Sequence, residues 1–373
     1  MTANYMSNVI NRDILKQVLP HFGCSLNNST VSPLGNGLIN QTYLVRNIHA
    51  VFVLQCINKN VFKKPEQVIE NAELISAHLL SKKETGHYTL ESIAQLHSHD
   101  KSPMVIINDD YWRAIQYIPN CYTVESVTTP EQARQVGTAF AQFTASLSDF
   151  PAATLAEIIP DFHNLNFRIS QLRIAINNDP ANRLSLCQDV VDFCLAQQCF
   201  ISEVSTITLQ LPLHVTHNDT KINNLLFSSE TKKPIAVIDL DTCMPGYLMH
   251  DFGDMVRTCC SNLPEDGKNI EDMSVRMDIF AALIKAYITS FGDKITSIEQ
   301  ESLIVGAQLL PFMIGVRFLT DYLDGDNYFH VEHNIHNLER TRNQLQLYKL
   351  LRKNKTELAN LVAQTDHSLE AVS

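Results

Sequence analysis

The chain has no CxxC pair and no concentration of positive charge, and each gap removes a large class of function. Its nine cysteines are scattered apart from the neighbours Cys259 and Cys260, so neither a zinc ribbon nor a dithiol redox motif is present. An odd count without framework spacing fits reduced thiols, and hence a cytoplasmic protein. Lys and Arg number 29 against 40 Asp and Glu, a formal charge of −11. Nucleic acid and anionic membranes are bound by clustered cations, so neither is expected as a partner. The opening MTANYMSNVINRDILKQVLPHF has no basic region followed by an apolar one, so no signal peptide is read there. The most apolar run, 309–319, is short and contains Pro311 and Arg317, which predicts a buried helix and no membrane span. A GK[ST] phosphate loop, a third glycine of a dinucleotide fingerprint, internal repeats and low-complexity segments are all missing.

What is present divides in two. At 373 residues and 45% hydrophobic the chain can bury cores for two lobes. Residues 31–57 read as β-rich: VSPLGNGLINQTYLVRN, a turn at 47–50, then VFVLQCIN. Pro65 opens PEQVIENAELISAHLL, where Val68, Ile69, Ala72, Ile75 and Leu79 recur at helical spacing. MVIIN and YWRAIQYI, separated by Asp109–Asp110, predict a hairpin. Beyond Pro119 the pattern turns helical, with Val136, Phe140, Phe143 and Leu147 on one face of a helix over 131–149. A polar stretch over 161–178 leads into a second helix around 186–202, and several more occupy 273–351. The division falls near 118, giving a β-rich lobe of residues 1–118 and a helical lobe of 119–373.

The chemistry concentrates between His217 and Asp254, in HNDTKINNLLF, AVIDLDTCMPG and HDFGD. Two acceptor-rich loops follow two apolar, strand-like segments. The first offers His217, Asp219, Lys221 and Asn224; the second offers Asp239 and Asp241. A carboxylate, an amide five residues on and a carboxylate on the next strand can orient a hydroxyl and hold Mg²⁺ against phosphate oxygens. The plain alternatives are a turn aspartate, a turn asparagine and a strand-end aspartate. Asp239 follows the apolar AVI, where an unpaired carboxylate is costly to bury. Asp241, two residues further, projects to the same side of an extended chain.

A β-rich lobe, a helical lobe and H-x-D-x-x-x-x-N together resemble the aminoglycoside phosphotransferase and choline kinase branch of the protein-kinase-like fold. The segments GNGLINQTYLV, FVLQCIN, EIIPDFHNLNFR, HNDTKINNLLF, VIDLDTCMPG, DFGD, RFLTDYLDGDNYF and HNLERTRNQ look most like the N-acetylhexosamine 1-kinases. The resemblance implies an α+β, two-lobed fold in which residues 1–118 bind nucleotide and 119–373 carry catalysis and the substrate. It implies ATP and Mg²⁺ as cofactors, a small sugar as the other partner, and a monomer or homodimer.

Residue by residue, the resemblance makes Asp219 the catalytic base, Lys221 a cation at the transferring phosphoryl group, and Asn224 and Asp239 the metal ligands. Asp241 is left open between a second metal ligand, a sugar contact and a structural cap. His217 and Asp251 support the loop, and His214, three residues before His217, is a structural histidine with no third ligand to make zinc of the pair. Gly35 and Gly37 let the backbone close over phosphates, or simply form a hairpin turn. The strand lysine of kinases is missing: VLQCIN has Gln55 where VxxK places Lys. Lys221 or Lys59 then shares that task, and an ion pair to Glu70 or Glu73 has no cation. Arg317 and Tyr328 are implied to hold the sugar, with an ion pair from Arg317 to Asp321 or Asp324 as the structural alternative. HNLERTRNQ reads as a solvated, basic helix face. Kinases of a muramyl sugar, an aminoglycoside or choline, and a non-catalytic pseudokinase motivated by Gln55, are the rival readings.

Overall fold

The computed structural model describes residues 11–35 and 39–370. Helix α1 (Arg12–Val18) is capped by Asn11, whose side chain accepts the N–H groups of Asp13 and Ile14. It lies on an antiparallel sheet of β1 (Ser29–Pro33), β2 (Gln41–Asn47), β3 (Val51–Cys56), β4 (Gln95–Leu96), β5 (Val105–Ile107) and β6 (Asp110–Gln116). The strand order is β1-β2-β3-β6-β4, with β5 paired to β6. Alternation decides what each face does. Phe52, Leu54, Trp112 and Ala114 pack with Leu15 and Val18 of α1, so Val53, Gln55, Arg113 and Ile115 face the other way. The β5–β6 turn sits one residue earlier than the sequence suggests. Asn108 and Asp109 adopt φ of 51° and 66°, and Asp110 already belongs to β6.

Helix α2 (Pro65–Glu84) starts at its proline and buries Val68, Ile69, Ala72, Ile75 and Leu79, together with Asn71. After it, β7 (Cys121–Tyr122) joins β9 (Leu225–Ser228) and β10 (Pro234–Val237) in the order β10-β9-β7. Strand β8 (His214–Thr216) pairs with β11 (Met244–Gly246). These two small sheets carry the acceptor-rich loops. The surrounding helices are α3 (Pro130–Ser146), α4 (Leu165–Asn178), α5 (Gln188–Leu195), α6 (Gln198–Thr208), α7 (Leu248–Cys259), α8 (Met277–Phe291), α9 (Ser297–Asp324), α10 (His336–Lys353) and α11 (Lys355–Glu370).

Three helical expectations need correction. The polar stretch 161–178 contains α4, capped by Asn164 and buried along Leu165, Ile169, Leu172 and Ala175. That stripe is narrow, and the polar residues around it conceal it. The single helix around 186–202 is two, because Gln197 leaves helical dihedrals and is held between Phe193 O and the Tyr348 hydroxyl. The HNLERTRNQ segment of α10 is not a solvated face. Asn337, Thr341, Asn343 and Gln344 are buried, and Asn337 donates to Asp321 and Asp326.

Helix α9 is long because a capping box of Thr296 and Glu299 starts it and its apolar residues run nearly all round. Its most apolar window is 83% buried inside the protein, which is how a core helix satisfies the length and composition of a membrane span. It crosses α7 glycine on glycine. A Cβ on Gly306 would lie 2.0 Å from Met249 O, and one on Gly253 would lie 2.2 Å from Gly306 O.

Candidate active site

The loop after β8 is held from behind. Asp251, near the start of α7, accepts the backbone N–H of His217 at 2.9 Å and of Asn218 at 2.7 Å, while Thr220 Oγ1 donates to its carbonyl at 2.6 Å. Burial pushes the Asp251 carboxyl up to about 7, and those two donors oppose the shift. His217 is fully buried, and burial lowers its pKa, so the neutral ring donates from Nε2 to Ile238 O at 2.9 Å. That bond ties the first loop to the second. Asn218 takes a left-handed φ of 64° and donates Nδ2 to Thr242 O at 2.9 Å. His214 points elsewhere and meets Glu299 at 2.5 Å.

Asp219 follows this bend. Asn224 Nδ2 donates to Asp219 Oδ2 at 2.9 Å and to its carbonyl at 2.8 Å, and Lys221 Nζ lies 3.1 Å from the same Oδ2. Burial disfavours the Lys221 ammonium, but Asp219, Asp254 and Asp239 outweigh it and hold its pKa above the usual value. Among the described residues nothing donates to Asp219 Oδ1, which leaves one oxygen for an incoming hydroxyl. With its Nδ2 committed to Asp219, Asn224 presents Oδ1 as a spare acceptor.

Asp239 and Asp241 do not lie on an extended chain. Asp239 is left-handed, φ 63° and ψ 58°, and the chain then turns through a 3₁₀ turn at Leu240–Thr242. The two carboxylates therefore diverge. Asp241 is almost fully buried, ion-paired to the Arg113 guanidinium and accepting Asn40 Nδ2 at 2.5 Å. Asp239 stays open to the cleft and has no hydrogen-bond donor among the described residues. The protein packed around the cleft, which limits its hydration, and then the charges of Asp241 and Asp219 push its carboxyl up to about 7.

The donor chemistry fits Mg²⁺: two hard oxygens, Asn224 Oδ1 and the Asp239 carboxylate, in a place already short of positive charge. A metal must compete with the proton on Asp239. Mg²⁺-nucleotide affinity should therefore rise with pH up to about 7 and level off above it. Calorimetry at a series of pH values, in buffers of different ionisation enthalpy, reads the released proton. A flat profile between pH ~6 and ~8 would remove Asp239 from the metal site.

Across the cleft, Gln55 is not alone. Its Nε2 donates to Thr42 Oγ1 at 3.1 Å and its Oε1 accepts Arg113 Nε at 2.9 Å. Lys59 takes no part in the site, because Asp109 O and Asp110 draw it to the β5–β6 turn at 2.8 and 3.0 Å. Glu73 pairs with His97, and Glu70 is exposed with no ion-pair partner among the described residues. Asn71 fastens α2 instead, donating to Ala156 O at 2.9 Å and Cys243 O at 3.0 Å. Gly35 is left-handed, φ 74°, with open space where a Cβ would be; Gly37 lies outside the described residues. Sequence reasoning missed Arg113 and Asn40. A lone charge in YWRAIQYI was the available signal for Arg113, since it must be paired if buried.

On the helical side, Arg317 stacks over Phe162, Tyr328 and Phe329 at 5.2, 5.5 and 5.4 Å. The alternative ion pair is absent. Asp321 is occupied by the N–H groups of Asn327, Tyr328 and Phe329 and by Asn337, and no described carboxylate lies within 4.0 Å of Arg317. Burial lowers the Arg317 pKa, partly offset by Tyr328. His163, also missed, has two buried ring nitrogens with no well-formed hydrogen bond among the described residues, and its ring centre lies 4.7 Å from that of His250 with the planes tilted by 51°. Burial, His250, Arg317 and Arg168 hold it well below the usual histidine range, so it is neutral.

A model of the phosphotransferase enzyme family, APH, matches residues 30–288. Several solved structures share the fold. A microcompartment-associated aminopropanol kinase is 15% identical with a TM-score of 0.58, over 93% of this chain and 98% of that one. An ethanolamine kinase from Plasmodium vivax is 14% identical with a TM-score of 0.57, over 92% of both chains. Spectinomycin phosphotransferase in complex with ADP and spectinomycin is 12% identical with a TM-score of 0.51, over 91% and 96%. At these identities the likeness concerns architecture, and it shows the expected two-lobed α+β, kinase-like fold.

Proposed function

Since this chain belongs to the phosphotransferase enzyme family, we propose that it transfers the γ-phosphate of ATP to the anomeric hydroxyl of an N-acetylhexosamine, giving a sugar 1-phosphate and ADP. The carrying observation is Asp219: oriented by Asn224 and Lys221, with one carboxylate oxygen free beside Asp239. That oxygen accepts the sugar hydroxyl's hydrogen bond and aims its lone pair at the phosphoryl group. Asn224 and Asp239 would hold Mg²⁺, which when bound neutralises charge on the phosphate oxygens. Lys221 supplies a further local cation. Residues 1–118 act as the nucleotide lobe, with Gly35 at its phosphate turn, and 119–373 as the catalytic and sugar lobe.

The acceptor side favours a neutral sugar over an amine. The relatives named above include an aminopropanol and an ethanolamine kinase, whose acceptors carry ammonium groups. Here the Arg317 guanidinium, with no carboxylate partner among the described residues, would repel a substrate ammonium brought beside it. Tyr328 and the Phe162 ring give a sugar face an apolar wall, whereas Asp241, with its two oxygens taken by Arg113 and Asn40, is withdrawn from the sugar contact expected of it. Phosphorus NMR of reactions with a panel of N-acetylhexosamines, a muramyl sugar, an aminoglycoside and choline should show an anomeric phosphate with an N-acetylhexosamine. Transfer to the amines alone sinks the sugar reading; nucleotide binding without transfer to any acceptor makes the protein a binding module.

A further inference from the structure

We propose that Arg113 is the phosphate-binding cation of the amino-terminal lobe, moved from the strand that lacks it to the strand beside it. This rests on the kinase reading above and adds a residue to it. In protein kinases a lysine on the third strand meets the nucleotide phosphates; here that position is Gln55.

The register supplies the substitute. Gln55 of β3 is paired directly with Arg113 of β6. Directly opposed residues in a sheet project from the same face, about 5 Å apart at Cβ. That face is turned away from the α1 core, since Leu54, Trp112 and Ala114 take the other side. A side chain as long as arginine starting from Arg113 therefore reaches the space a lysine from Gln55 would fill.

The contacts fix the charge there. Gln55 Oε1 accepts Nε, and Asp241, itself held by Asn40, accepts Nη2. Both partners of the ion pair are nearly buried, 3% and 2% exposed. Among the described residues nothing accepts from Nη1, so the guanidinium keeps a free donor edge. Asp241 lies two residues from Asp239, so its ion pair places the Arg113 guanidinium close to the residues that would hold Mg²⁺. A purely structural pair would leave these facts unconnected. An apolar pair packs such a face at least as well, so packing alone does not call for a buried cation there, whereas a phosphate site in the first lobe does.

The test compares a phosphorylated with an unphosphorylated ligand, and needs no acceptor. Mg²⁺-ATP and adenosine affinities are measured by calorimetry for the wild type, Arg113→Met, Arg113→Lys and the double variant Gln55→Lys/Arg113→Met, alongside thermal melting. Arg113→Met should weaken Mg²⁺-ATP at least tenfold while adenosine binding stays within twofold. Arg113→Lys and the double variant, which returns a cation from the other strand, should recover most of the loss. Equal loss of both ligands makes Arg113 a structural brace and overturns the proposal, as does unchanged Mg²⁺-ATP affinity. If Arg113→Met melts too low to titrate, the double variant decides: stable but failing to regain Mg²⁺-ATP, it overturns the proposal. Failure to find any acceptor would sink the sugar-kinase reading and leave this comparison standing.

Discussion

Asp219→Asn should lower turnover by about 10³-fold while leaving the protein folded and able to bind Mg²⁺-nucleotide. An amide keeps the shape of the carboxylate but cannot take the proton of the attacking hydroxyl, and loss of a positioned base costs roughly 10²–10⁴ in rate. The fold is insulated from the change. The loop is held through main-chain groups of His217 and Asn218 on Asp251, through Thr220, and through His217 on Ile238 O, none of which involve the Asp219 side chain. Lys221 loses its near partner but keeps Asp254 and Asp239 close by. Acceptor-dependent ADP release, melting temperature and nucleotide affinity together report the outcome. Near-wild-type turnover would remove Asp219 from the chemistry.

Gly306→Ala carries the largest expected cost to stability. The added Cβ would meet Met249 O at 2.0 Å and Met249 C at 2.7 Å. These are backbone atoms of α7, so relief requires one helix to move off the other, and Gly253 closes the crossing from the opposite side. Overpacking of this kind costs about 1–3 kcal/mol and more when backbone must shift, and we expect the upper end, about 3 kcal/mol. Activity should fall too, because Met249 lies two residues from Asp251, the anchor of the Asp219 loop. Gly315→Ala provides the contrast. Its Cβ would meet flexible side-chain atoms of Leu345 at 3.2 Å, so a smaller loss is expected. Chemical denaturation of both variants measures the difference. Equal stability of Gly306→Ala and wild type would contradict the close crossing of α7 and α9.

What could be read from the chain alone follows from how local each feature is. The placing of Asp219 beside Asn224 depends on five residues of loop, and the strands of the first lobe announce themselves by alternation. The α2 stripe is legible for the same reason. Contacts between distant segments were not. Asp241 meets a partner 128 positions away, and Arg113 finds Gln55 only through the register of β3 and β6. The divergence of Asp239 from Asp241 was hidden because the left-handed turn at Asp239 leaves no glycine to mark it. Lys59 was a plausible cation by its position, but the turn carboxylate at Asp110 lies nearer in space. Helix α4 was obscured by the polar composition of its exposed face.

The fastening of α2 has a consequence for control. In protein kinases an ionic contact from the corresponding helix can be made or released, and signals act through it. Here the helix is pinned by Asn71, which makes two donor bonds and accepts the Ala156 N–H at 3.0 Å, all to main chain beyond the first lobe. A buried neutral amide offers no charge for a phosphate group or a partner protein to pull upon. The position of α2 against the second lobe therefore does not depend on the ionisation of any group at this contact.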